Sequence, residues 1–161
     1  MDVAYINPFL TGVRSLFATM VKLPLELGKP RLRGADNQMH RIYPVTADIR
    51  LSGGVTGIVF LSFSAPVACA VAAALGDRKV TDLDRDGIDA LAEAANMVVG
   101  SAKKDLPGGL TKVSLPKVVA TQALTYPPNL PVIVIPGDVG CGRFLIEVAL
   151  APAAPAATRA A

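Results

Sequence analysis

Glu93 and Asn96 lie three residues apart in the run Asp89-Ala-Leu-Ala-Glu-Ala-Ala-Asn-Met-Val-Val-Gly100. On a helix, positions i and i+3 are surface neighbours. A carboxamide can orient a water molecule and a carboxylate can hold a cation. Little else in the chain offers chemistry. His40 is the only histidine, which argues against a histidine-rich metal site and against a Ser-His-Asp triad. The two cysteines, Cys69 and Cys141, form no CxxC and no Cys/His cluster of metal-ligand spacing, so reduced structural thiols are expected and no metal site. Gly137-x-x-Gly140-x-Gly142 falls between two strand-like runs, whereas a dinucleotide fingerprint needs a helix after it, so a hairpin or bulge is expected.

The pair must be held by a helix, and the surrounding pattern supplies one. Thr81 and Asp84 form a capping-box-like start, and the helix is expected to run to about Leu106, before Pro107-Gly108-Gly109. At about 100° per residue, Ile88, Leu91, Ala95, Val98, Val99, Ala102 and Leu106 form the buried stripe. Asp89, Glu93, Asn96, Gly100, Lys103 and Lys104 share the open arc. Gly100 lies one turn below Asn96. A glycine inside a helix costs about 1 kcal/mol relative to alanine, and the close approach of a partner's backbone is one return for that cost. Taken alone, Glu-x-x-Asn is most often a solvated helix face.

Other elements follow from periodicity and punctuation. Helical spacing covers 6–21, with Asn7-Pro8 as its start. Strands are expected over 25–33, 40–52 and 55–64, the last two joined at Gly53-Gly54. A short alanine-rich helix follows over 65–75, stopped at Gly76. Further strands are expected over 113–122, 130–136 and 143–150, with a turn at 137–140 before the last. The order helix, strand, strand, glycine turn, strand occurs twice, and 51–61 matches 136–146 in turn type and flanking pattern. The expected fold is therefore α/β (α+β): two pseudo-symmetric α-β-β-β halves, with an antiparallel-rich sheet packed against long helices. Residues 1–150 are expected as a single domain and 151–161 as a disordered Ala/Pro-rich tail.

Composition agrees with a packed domain. Of 161 residues, 52% are hydrophobic and 18% charged, below a typical globular share. That balance leaves apolar surface for a subunit interface. The net charge is +3. Its one loose basic group (Lys29, Arg31, Arg33, Arg41) lacks the clustering and aromatic support of a nucleic-acid groove and reads as a solvated face. The N-terminal residues show no signal-peptide pattern, and no apolar run reaches the roughly 20 residues a membrane span needs. A soluble, cytoplasmic protein is expected, without nucleic acid or membrane as partner.

Residues 88–103, Ile-Asp-Ala-Leu-Ala-Glu-Ala-Ala-Asn-Met-Val-Val-Gly-Ser-Ala-Lys, resemble the signature helix of the CheX/CheC/FliY phosphatases of bacterial chemotaxis. Ile6-Asn7-Pro8-Phe9 with Gly28-Lys29-Pro30 resembles the first helix and strand of the CheX branch. Residues 51–64 resemble its central hairpin, and Pro116-Lys-Val-Val-Ala120 a strand of its second half. The likeness spans about 5–150. It implies that Glu93 and Asn96 act on a phosphorylated CheY-type response regulator. Asn96 would orient a water in line with the aspartyl phosphate, and Glu93 would pair with the partner's lysine. The required Mg²⁺ would sit on the partner receiver domain, and no cofactor on this chain. The first helix carries no Glu-x-x-Asn, which matches the CheX pattern of one active helix per subunit. The resemblance also implies a homodimer formed through a continued β-sheet. Two other readings stand beside the phosphatase: a non-catalytic module of the same fold that docks on a receiver or a flagellar switch component, and a structural dimerisation domain.

Overall fold

The computed structural model describes residues 2–34 and 42–153. His40 and Arg41, and the tail expected to be disordered beyond residue 153, lie outside the described residues. Helix α1 (Asn7–Leu16) buries Pro8, Phe9, Gly12, Val13 and Leu16, the spacing of a single helix face. Asn7 is its first helical residue rather than its cap. The helix continues as a π turn over Phe17–Val21, in which the Lys22 N–H donates to the Phe17 carbonyl. Lys22 then takes a left-handed conformation (φ 57°) and ends it. Helix α2 (Ala65–Gly76) follows Ser64, and helix α3 (Arg85–Ala102) carries Glu93 and Asn96.

Helix α3 differs at both ends from its expected span. Its N-cap is Asp84, whose Oδ1 accepts from the Gly87 N–H at 2.8 Å, so the helix opens at Arg85 and not at Thr81. It stops at Ala102, four residues short of Leu106, although Leu106 is still buried beneath the sheet-facing cluster.

The strands are β1 (Glu26–Leu27), β2 (Arg31–Leu32), β3 (Val45–Gly53), β4 (Val55–Phe63), β5 (Thr111–Val113), β6 (Lys117–Ala120), β7 (Ile133–Asp138) and β8 (Arg143–Pro152). They form one antiparallel sheet in the order β1-β7-β8-β4-β3-β5, with β2 beside β1 on β7 and β6 beside β5 on β3. The strands expected over 25–33 and 113–122 are each broken in two, at Lys29-Pro30 and at Leu115-Pro116. Proline has no N–H to give a ladder and is confined to sheet edges and breaks, which is where both lie. Strand β7 runs through Asp138, so the turn falls at 139–142 rather than 137–140. Strand β8 extends through Pro152, two residues into the segment expected as tail.

The two halves are related with conserved register. Glu26 pairs with Asp138, and Lys112 with Ser52; Arg31 pairs with Val134, and Lys117 with Asp48. Each residue maps to its counterpart by a step of 86 positions, Glu26 to Lys112 and Ser52 to Asp138 alike. Strands β1 and β2 of the first half therefore pair with β7 of the second, and β5 and β6 pair with β3 of the first. The axis passes between β4 and β8 and between the long helices. Gly12 there meets Val98, its own counterpart, so closely that a Cβ would stand 2.7 Å from the Val98 carbonyl oxygen. Helix α2 follows the first half in sequence and has no counterpart among the described residues.

All three helices pack on one face of the sheet, over Ile49, Val59, Ile146 and Val148. The other face is covered in part by residues 121–132. Tyr126 packs edge-on against Phe60, and its hydroxyl donates to the fully buried Glu147 at 2.9 Å. Arg33 pairs with Glu147 at 3.1 Å and stacks on the Tyr126 ring. Thr46 is hydrogen-bonded to Ser62 and Thr121, each at 2.7 Å.

Candidate active site

The stability of α3 comes from its inward face. Leu91, Ala94, Ala95, Val98, Val99 and Ala102 are buried against α1, α2 and the sheet. Ile88, expected in that stripe, is 39% exposed, because it sits in the first turn at the end of the stripe. Asp89, Glu93 and Asn96 are exposed, as are Lys103 at the helix C-cap and Lys104 beyond it. Gly100 is half-buried, and a Cβ added there would meet nothing within 4 Å. No packing within the described residues therefore requires a glycine at position 100.

Asp89, Ala92, Glu93 and Asn96 form one wall of a shallow hollow of about 250 Å³, and Leu115 and Pro116 form the other. The second wall is built by the strand break. Strands β5 and β6 pair with β3 on either side of it. At the break itself, the Arg50 N–H donates to Ser114 Oγ at 3.0 Å and the Ser114 N–H donates to the Arg50 carbonyl at 2.9 Å. The sequence reading placed neither Leu115 nor Pro116 at the site. The available signal was a leucine-proline step inside a β-branched run, where the strand has to leave the ladder.

Asp89 and Glu93 are like charges one turn apart, a mildly unfavourable pair on an isolated helix. None of the ion pairs among the described residues engages either of them. Within α3, Arg85 lies about two turns from Glu93 on one side, and Lys103 nearly three turns on the other, or roughly 12 and 15 Å along the axis. The Glu93 carboxylate is thus open to an incoming cation. Beside it, the Asn96 amide can both donate and accept. The hollow is one wall polar and acidic, one wall apolar, and its lining holds no histidine, lysine or cysteine.

Other candidate groups lie elsewhere. No three His, Cys, Asp or Glu side chains among the described residues come together as a metal site would require. Cys69 is half-buried on α2, where burial and the neighbouring Asp82 push its thiol up, and Cys141 is exposed in the 139–142 turn. Neither lines the hollow. The step of 86 residues places Asn7 where Glu93 stands in the second half, and Leu10 where Asn96 stands. The pseudo-symmetric position on α1 therefore has neither the carboxylate nor the amide.

The family model described as chemotaxis phosphatase CheX matches residues 45–138, more than half of the chain. The fold is similar to that of a CheC-like superfamily protein from Shewanella sp. PV-4, with a TM-score of 0.82 and 25% identity over 94% of this chain and 99% of that one. It is similar to the chemotaxis protein CheX from Vibrio vulnificus, with a TM-score of 0.80 and 24% identity over 91% of this chain and 99% of that one. It also resembles a chain of the CheX-CheY-BeF3-Mg²⁺ complex from Borrelia burgdorferi, with a TM-score of 0.76 and 21% identity over 91% and 97%. No curated protein sequence matches this chain.

Proposed function

The chain belongs to the chemotaxis phosphatase CheX family, and on that premise we propose that it hydrolyses the aspartyl phosphate of a CheY-type response regulator, ending a chemotaxis or two-component signal. The observation that carries this reading is the hollow on α3, where Glu93 and Asn96 stand side by side and exposed on a helix held rigidly by its other face. An acyl phosphate is already activated, and its hydrolysis calls chiefly for a positioned nucleophile and charge balance. In this reading the Asn96 carboxamide enters the receiver's active site and orients a water in line with the phosphorus–oxygen bond to the aspartate. The Glu93 carboxylate, which forms no ion pair among the described residues, pairs with a receiver lysine. Mg²⁺ belongs to the receiver, where it balances the charge of the phosphoryl oxygens. The Borrelia complex supports the partner class, since BeF3 stands in there for a phosphoryl group.

Asp89, Gly100, Lys103 and Lys104 form the surrounding docking rim in this proposal, and a homodimer through a continued sheet is its assembly. Residues 1–150 act as one domain. Among the described residues no helix is long and apolar enough to cross a membrane, and we place the reaction in the cytoplasm.

Substituting Asn96→Ala tests the reading. Turnover of the phosphorylated receiver is expected to fall about a hundredfold or more, the scale of losing a positioned reactant, while binding of the BeF3-loaded receiver is retained. Binding by the wild type with no acceleration of phosphate loss would leave a docking module in place of an enzyme.

A further inference from the structure

Leu115 is 84% exposed in a chain whose other large aliphatic side chains are mostly buried. Its backbone is nevertheless fixed. Strand pairings hold Val113 against Leu51 and Lys117 against Asp48, and the Ser114 hydroxyl bridges to Arg50 between them. The following Pro116 restricts Leu115 to extended backbone. The side chain is thus held out into solvent by a rigid support, at the edge of the hollow that contains Glu93 and Asn96. A preorganised apolar side chain costs little further ordering on association, and covering an exposed leucine removes apolar surface from water, which favours binding.

We propose that Leu115 is the apolar anchor that seats the phosphorylated receiver, packing on an apolar patch beside the receiver's phosphoryl pocket, and that it governs KM rather than kcat. The inference rests on the phosphatase reading above and adds a second contact to it. The occupant follows from continuity: the same hollow presents the carboxylate and amide on its helix wall, so whatever the polar wall engages must also meet Leu115. Ala92 and Pro116 complete the apolar surface on which the partner closes, which also excludes bulk water from the reacting centre.

Leu110 provides the internal control. It is equally exposed at 84% and five positions away, but it lies outside the hollow. The experiment is steady-state phosphate release from a Mg²⁺-bound phosphorylated CheY-type receiver across receiver concentrations. It compares the full-length wild type with Leu115→Ala, Leu115→Asp, Leu110→Ala and Asn96→Ala, all checked for an unchanged thermal transition. The expected result is a KM raised about tenfold by Leu115→Ala, the loss of roughly 1.4 kcal/mol of binding, and raised further by Leu115→Asp, with kcat kept within about twofold. Leu110→Ala should leave both constants unchanged. An unchanged KM in both Leu115 variants, or an equal rise in Leu110→Ala, overturns the anchor. Full activity of Asn96→Ala would instead overturn the catalytic reading, and the Leu115 comparison would still report on docking. Affinity for the BeF3-loaded receiver gives that comparison without turnover, and equal affinities of wild type and Leu115→Ala would likewise overturn it.

Discussion

At the scale of single residues, Gly100 separates stability from function. Alanine at this position has open space for its Cβ and a better helix propensity, so Gly100→Ala should stabilise the fold by about 0.5–1 kcal/mol. If a receiver approaches the helix closely there, the same variant should slow receiver turnover several-fold. Urea denaturation and the phosphatase assay on one preparation check both signs, and a stabilised variant of full activity would remove Gly100 from the docking rim. The shared exposed face of Glu93 and Asn96 was legible in the sequence because helical periodicity alone fixes which side chains share a face. Leu115 and Pro116 were not, since they reach the hollow through the pairing of β5 and β6 with a strand about 60 to 75 positions earlier, and local periodicity holds no information about that partner.

Helix α1 and helix α3 cross at Gly12, and the contrast with Gly100 is physical. A methyl group at Gly12 would stand against the Val98 backbone, which cannot move aside without displacing α3. Gly12→Ala is expected to destabilise the protein by about 1–3 kcal/mol, as over-packing does, measured as a lower urea midpoint with an unchanged slope. A variant as stable as the wild type would mean that the crossing yields easily. Helix α1, α2 and the β3–β4 hairpin were readable from proline, glycine and apolar spacing. The start of α3 was misplaced because Thr81 and Asp84 are both good capping residues, and only the Asp84–Gly87 hydrogen bond decides between them. The long strands read over 25–33 and 113–122 were broken by Pro30 and Pro116, counterparts 86 positions apart.

Across the whole molecule, the repeat read in the sequence became a two-fold arrangement in which each half lends its first strands to the other. This arrangement holds both long helices on one face and leaves the opposite face to be covered by residues 121–132. There burial, and then the Glu147 carboxylate beside it, raise the Tyr126 phenol above its ordinary 10.0. The folded state holds that proton more tightly than the unfolded state, so the contribution is complete below pH 10 and is lost as pH climbs through the folded value. Stability should therefore fall above about pH 10. Tyr126→Phe should lessen that fall and should cost about 1–3 kcal/mol at neutral pH through the lost bond to Glu147. The Tyr43 phenol and the Cys69 thiol, also raised by burial, contribute in the same direction. Denaturation at pH 7 and above pH 10 would count against this account if the variant lost stability as steeply as the wild type.

The most direct test of the central claim is the decay of a Mg²⁺-bound, phosphorylated CheY-type receiver in large molar excess over this protein. The wild type should clear the whole receiver pool many-fold faster than spontaneous hydrolysis does, and Asn96→Ala should leave the spontaneous rate. Spontaneous decay in the presence of the wild type, or undiminished acceleration by Asn96→Ala, would contradict the assignment of the reaction to the α3 hollow.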